Sequence, residues 1–153
     1  MKYSYKLSDA IHILTYVDIY KNGDLSSARI AASIEANASV VRNLMSKLKK
    51  AGLLNNQPGV ARASLAKPAS EISVLDVYRV ITSTASLLHV DPKTNPNCMV
   101  GANIQNTLEE VYQRVQNAAE LEMSQISIQD VIDGVLESER LKQKAGGDDD
   151  TLD

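Results

Sequence analysis

Residues 37–52 read NASVVRNLMSKLKKAG, and the reading of this stretch decides the fold. Asn37 suits a helix N-cap, because its side-chain oxygen can accept a free backbone N–H of the first turn. Gly52 suits the position just past the helix end, where left-handed backbone is often needed. Between them Val41, Leu44, Met45 and Leu48 recur at helical spacing and are expected to face a core. The opposite face carries Ser39, Arg42, Asn43, Ser46, Lys47 and Lys50, all cationic or hydrogen-bonding and none acidic. A solvated helix usually mixes both signs of charge. This one does not.

The asymmetry extends beyond the helix. Residues 36–70 contain six bases (Arg42, Lys47, Lys49, Lys50, Arg62, Lys67) and no acid, whereas residues 71–153 contain 15 acids and six bases. A chain of net charge −3 thus encloses one strongly basic window. That is the electrostatic footprint expected of phosphate contacts.

Upstream, Leu7, Ala10, Ile11, Leu14 and Val17 form one stripe and predict a first helix over residues 4–21. Asn22-Gly23-Asp24 breaks it. Ser26 is a plausible N-cap for a short helix through Ile34, with Ile30, Ala31 and Ile34 facing inward, and Glu35-Ala36 forms the turn into Asn37. Two helices so tightly joined, the second basic and polar on one face, match the helix-turn-helix pattern.

Downstream the period changes. Leu53-Leu54 begins a short strand, Pro58-Gly59 fits the centre of a type II turn, and residues 62–65 return. A two-stranded ribbon directly after a recognition helix has the layout of a wing, with Arg62 near its tip and able to reach the adjacent minor groove. The candidate DNA contacts are Arg29, Ser39, Val40, Arg42, Asn43, Ser46, Lys47, Lys50 and Arg62.

The second half is acidic and helical. Ser73 and Asp76 have capping-box spacing, with Asp in place of the usual Glu or Gln. A loop over 83–102 carries Cys98, and a helix over 103–123 follows. Its Ile104, Leu108, Val111, Val115 and Ala118 alternate spacings of four and three, a heptad-like seam suited to a partner helix. Ser127 and Asp130 repeat the cap before a final helix to residue 139. The expected organisation is a winged helix-turn-helix head (1–67), a helical linker with sensor loop and dimerisation helices (68–139), and a disordered acidic tail (140–153). The fold class is mainly α with a small β-wing.

Composition bounds the function. Phe and Trp are absent, so the stacking platforms that bind single-stranded nucleic acid are not expected. No apolar run approaches the roughly 20 residues of a membrane span, and no signal-peptide core opens the chain. A cytoplasmic protein is expected. No Ser-His-Asp set, glycine-rich phosphate loop or zinc-ligand spacing is legible, so neither catalysis nor a metal site is expected. His12 and His89 have no evident partners. Cys98, the only cysteine, excludes an intrachain disulfide. Near a helix N-terminus its thiolate would be stabilised, which makes it the candidate redox residue.

Four strings, ASVVRNLMSKLKKAGLL (38–54), PGVARASLAKPASEIS (58–73), VLDVYRVI (74–81) and CMVGANIQNTLEEVY (98–112), resemble the Rrf2 family of bacterial winged-helix transcription regulators, particularly its YwnA-like branch. The resemblance spans about 1–139. It implies a homodimer whose long helices cross between subunits, two winged heads on a palindromic double-stranded DNA operator, and regulation, usually repression, of a small regulon. Relatives commonly have Gly-Gly in the wing where this chain has Ala61-Arg62. Cluster-binding members place three cysteines before the long helix; with Cys98 alone, no iron–sulfur cofactor is expected. The effector, redox or small-molecule, is not legible. The competing expectation is a winged-helix protein-interaction module that never touches DNA, which would tolerate acids on the 39–50 face.

Overall fold

The computed structural model describes residues 4–55, 62–83 and 86–147. It contains six α-helices among them: α1 (Lys6–Ile19), α2 (Ser27–Ile34), α3 (Ala38–Lys50), α4 (Val74–Thr82), α5 (Met99–Gln125) and α6 (Ile128–Gly147), with a 3₁₀ turn at Ala69–Glu71 before α4. The expected wing turn at Pro58-Gly59 lies outside the described residues. The strands on either side of it meet in an antiparallel bridge between Leu54 and Leu65. Asn55 N–H donates to the Ser64 carbonyl at 2.9 Å and Ala66 N–H to the Leu53 carbonyl at 3.1 Å.

Local chemistry explains the helix ends. Ser26 accepts from Arg29 N–H at 3.3 Å and so caps α2. Asn37 accepts from Ser39 N–H at 2.8 Å and caps α3. Past α3, Gly52 has φ +77°, a left-handed conformation that a side chain would strain. Between α2 and α3 the turn is made by Glu35, itself left-handed at φ 59°. Its N–H and that of Ala36 close onto the last carbonyls of α2. At α4 the capping box is complete: Ser73 N–H donates to the Asp76 carboxylate at 2.9 Å, and Asp76 N–H to the Ser73 hydroxyl at 3.0 Å. Aspartate, one methylene shorter than glutamate, still reaches.

The core lies around α1. Ala10, Ile13, Leu14 and Val17 are buried against Ile30 and Ala31 of α2 and Val41, Leu44, Met45 and Leu48 of α3. Ile13 falls outside the expected stripe because α1 is covered on several sides, by α3, α4 and α6. Ile72, Val77, Ile128 and Ile132 close the same cluster. The last two belong to α6. That helix returns to the head through a two-residue ladder: Ser73 bridges Ser127, Val74 N–H donates to the Ile126 carbonyl and Ile128 N–H to the Ile72 carbonyl, each at 2.8 Å.

Two expected boundaries are corrected. The long helix starts at Met99 rather than residue 103. The preceding loop wraps its first turn, with the Thr94 hydroxyl donating to the Gly101 carbonyl at 2.6 Å, and this tertiary support carries the helix through Gly101. At the other end, α6 continues to Gly147 rather than stopping at 139, so residues 140–147 are helix rather than disordered tail. Arg140 pairs with Glu137 at 2.7 Å and Gln143 bonds Glu139 at 3.3 Å, which ties that segment to the turn before it. Residues 148–153 lie outside the described residues.

Candidate nucleic-acid interface

The face of α3 follows from its period. At about 100° per residue, Ser39, Asn43, Ser46 and Lys50 share a central line, with Arg42 and Lys49 on one flank and Val40 and Lys47 on the other. Ser39, Val40, Arg42, Asn43, Ser46 and Lys50 are exposed, whereas Lys47 and Lys49 are half-buried along their stems. Val41, Leu44, Met45 and Leu48 anchor the inner face. Four core side chains therefore hold the outer face in place.

No ion pair among the described residues involves this face; the two present are Arg79–Glu120 and Arg140–Glu137. Its positive charge is thus not neutralised by an ion pair among the described residues. Ser39 is more constrained than its exposure suggests. Its hydroxyl donates to the Asn37 side-chain oxygen at 2.8 Å, so toward any ligand it is left as an acceptor.

The flank with Arg42 and Lys49 borders a groove of about 430 Å³, which Ser26 and Ser27 at the start of α2 close on one side and Asn55 and Arg62 of the wing base on another. Ser26 and Ser27 are not among the candidate contacts; Lys49, expected with Lys47 and Lys50 at phosphates or shielding the basic face, lies seven residues after Arg42 and so on the same flank. Nothing local in the sequence marks the two serines.

Arg62 departs from its expected position. Its guanidinium turns inward from the wing and donates to the Gly23 carbonyl at the α1–α2 corner. Asp24 lies at the same corner, with its carboxylate accepting Ser26 N–H at 2.9 Å. That backbone bond, the Ser26 hydroxyl, and the charges of Arg29 and Arg62 hold the Asp24 carboxyl below its ordinary range. Arg29 is exposed on α2 within the same field.

A winged head with an unpaired basic helix face invites comparison with known regulators. A family model, Rrf2, described as an iron-dependent transcriptional regulator, matches residues 3–134. The chain belongs to the Rrf2 family. It is 42% identical over 127 residues to YwnA of Bacillus subtilis (strain 168), described as an HTH-type transcriptional regulator, a match covering 83% of this chain and 94% of that protein. A crystal structure described as that of a DNA-binding protein superposes with a TM-score of 0.66 at 40% identity, covering 83% of this chain and 98% of that one. The global cysteine regulator CymR of B. subtilis shares the fold, with a TM-score of 0.63 at 20% identity over 87% of this chain and 97% of its own. The chain is a transcriptional regulator, and DNA is the partner its family implies; its homologues are not enzymes.

The family description names iron, and the donor set does not fit an iron–sulfur cluster. Such clusters take several thiolates, whereas this Rrf2 protein has one cysteine in its whole sequence. No group of three His, Cys, Asp or Glu side chains able to hold a metal ion occurs among the described residues. Cys98 stands at the N-cap of α5, exposed. The backbone N–H groups of Gly101 and Val100 hold its thiol below the ordinary thiol range. His12 shares a 2.8 Å hydrogen bond with Ser33. No described helix is long and apolar enough to cross a membrane.

The expected seam on α5 is distributed unevenly. Val111, Val115 and Ala118 are exposed and Ile104 and Leu108 half-buried, and the 27-residue helix has no buried residue. Two polar contacts join it to α4: Gln116 donates to the Tyr78 hydroxyl at 3.0 Å, and Glu120 pairs with Arg79 at 3.8 Å. Those side chains lie a third to nearly half a turn from the middle of the seam.

Proposed function

We propose that this Rrf2 protein represses transcription as a homodimer, placing α3 of each subunit in successive major grooves of a palindromic operator. The reading is carried by the outer face of α3, where Arg42, Lys47, Lys49 and Lys50 have no ion-pair partner among the described residues. Ser39, Arg42 and Asn43 occupy its first turns, the part of a recognition helix that meets base edges. Arg42 donates two hydrogen bonds to a guanine edge, and Asn43 suits adenine. Ser39, left as an acceptor, reads an exocyclic amino group. Lys47 and Lys50 contact phosphates, and Val40 packs against a thymine methyl or sugar.

Dimerisation follows from α5. A helix roughly 40 Å long that fully buries no residue in its own subunit, yet carries Ile104, Leu108, Val111, Val115 and Ala118 along one seam, needs a second copy to cover it. Two-fold symmetry then matches the protein to paired half-sites.

Cys98 is the sensing residue in this reading. Its thiolate attacks a peroxide oxygen, the O–O bond breaks, and a sulfenic acid forms with release of hydroxide. A small thiol then displaces water to give a mixed disulfide. Either product sits at the start of α5, and altering that turn changes the angle between the heads.

The test is selection of bound fragments from genomic DNA at physiological salt, followed by footprinting. Two protected half-sites about 10 base pairs apart, or a multiple of that, are expected. No enrichment over random fragments removes the DNA-reading role.

A further inference from the structure

Helices α1, α2 and α6 enclose a trough that the DNA-reading face does not use. It has a volume of about 510 Å³ and is walled by Ile11 and Tyr16 of α1, Ser33 of α2, and Val131 and Val135 of α6. That volume lies within the range of small-molecule sites, which pair apolar walls with a few polar groups that fix orientation. Here the polar group is the His12–Ser33 pair, joined at 2.8 Å at the α2 end. The Thr15 hydroxyl, also in the wall, is committed to the Ile11 carbonyl at 2.8 Å. Tyr16 and Tyr20, with ring centroids 4.6 Å apart, supply an aromatic side. Among the described residues no Asp, Glu, Lys or Arg lines the trough. Charge returns past Tyr20, where its continuation along α6 meets Glu139 and Lys142.

We propose that this trough is an effector site for an uncharged, compact aromatic molecule bearing one hydroxyl. The proposal rests on the DNA-reading role of α3 and extends it to regulation. A charged ligand would leave its charge unpaired against these walls. The same holds for a helix of a second copy, whose exposed α5 surface carries Glu109, Glu110 and Arg114. A flat ring instead lies against the tyrosine pair, and its hydroxyl bonds Ser33. In either imidazole tautomer the Ser33 hydroxyl keeps a capacity free: its lone pairs when it donates to His12, its proton when His12 donates to it. The trough also touches three parts that operator binding needs. Helix α1 carries the core under α3, Ser33 precedes the Glu35 turn into α3 by two residues, and α6 returns from the long helix α5. A ring wedged between α1 and α6 shifts the long helix relative to the head, so occupancy lowers operator affinity.

The experiment uses 2-naphthol as the probe, with naphthalene and 2-naphthoate for comparison. The natural protein, Ser33→Ala and Val135→Trp are titrated without DNA by ligand-observed NMR, after a thermal melt and sedimentation establish folding and oligomeric state. Both substituted positions are exposed, which favours folded variants. The natural protein is expected to bind 2-naphthol about fivefold more tightly than naphthalene, the effect of one neutral hydrogen bond. It should bind 2-naphthoate about tenfold more weakly than 2-naphthol. Ser33→Ala should abolish the preference for 2-naphthol and leave naphthalene binding unchanged. Saturating 2-naphthol should lower the affinity for a genomically selected operator about fivefold, and Val135→Trp, which fills the trough, should remove both the binding and this response. Equal binding of 2-naphthol and naphthalene, binding that survives Val135→Trp, or binding that leaves operator affinity unchanged overturns the proposal. So does a Val135→Trp protein that turns monomeric, which gives the trough to a second copy. If no operator is selected in the absence of probe, the DNA-reading role itself fails, a separate result because the binding titration contains no DNA.

Discussion

Arg42 and Lys50 lie on one face of α3 but at different angles, and that difference predicts different defects. In the proposed reading Arg42 donates two hydrogen bonds to a base edge, a contact worth about 1–3 kcal/mol of discrimination. Arg42→Ala should therefore lose operator affinity while keeping most random-duplex affinity. Lys50, a point charge near the helix end, should lose both alike when replaced by alanine, with a shallower salt slope. Binding titrations on paired duplexes check the contrast; equal losses for Arg42→Ala would remove its reading role. Cys98 makes a second prediction at this scale. The N–H groups of Gly101 and Val100 stabilise its thiolate and lower its pKa. Alkylation should accordingly rise through a midpoint at lower pH than for an unfolded-chain thiol, and unfolding in denaturant should return it to the ordinary value. Operator affinity should drop after mild peroxide in the natural protein and not in Cys98→Ser. Unchanged affinity makes Cys98 a passive cap.

Helices α2, α3, α4 and α6 start where side chains satisfy their free N–H groups, so their ends can be loosened one at a time. Ser73 and Ser127 head adjacent capping boxes, the second with bonds of 2.9 and 3.1 Å. Removing a cap typically costs about 1 kcal/mol, and for a chain of this length that corresponds to a melting shift of about 3 °C. Ser73→Ala should show it by calorimetry, with Asp76→Ala giving no further loss of similar size because both serve one box. The start of α5 works differently. A Cβ on Gly101 would lie 3.0 Å from the Asn95 nitrogen and 3.1 Å from its carbonyl carbon, backbone that cannot easily give way. Gly101→Ala should push the loop off the first turn and return the Cys98 alkylation midpoint toward that of a free thiol.

Across the whole molecule the core and the seam make opposite demands. Ile72, Ile128 and Ile132 bring α4 and α6 onto the head, so the helix after α5 is anchored to the domain before it. Between those anchors α5 carries a seam whose Val111, Val115 and Ala118 its own chain leaves exposed. Leu108→Glu with Val115→Glu should leave the melting of the head nearly unchanged and convert dimers to monomers in sedimentation. Operator binding should fall by more than tenfold, because each head then binds without the other's tether. Dimers that survive both changes place the interface elsewhere.

The recognition helix was legible from its residues because caps and period are local: Asn37, Gly52 and the Val41-Leu44-Met45-Leu48 stripe need no distant partner to be read. The same holds for Ser73 with Asp76, and for Ser127 with Asp130, where a hydroxyl and a carboxylate three residues apart make their own geometry. The charge asymmetry of residues 36–70 is likewise a property of the chain itself. Arg62 is the opposite case. Whether it extends from the wing or folds back depends on the Gly23 carbonyl, which lies 39 positions earlier in the chain. The start of α5 at Met99 depends on Thr94 and Asn95 folding over a glycine that local propensity would place outside a helix. Ile13 is buried because helices from later in the chain, α3, α4 and α6, cover α1 on several sides. In each case the deciding contact joins residues that only the packed fold brings together.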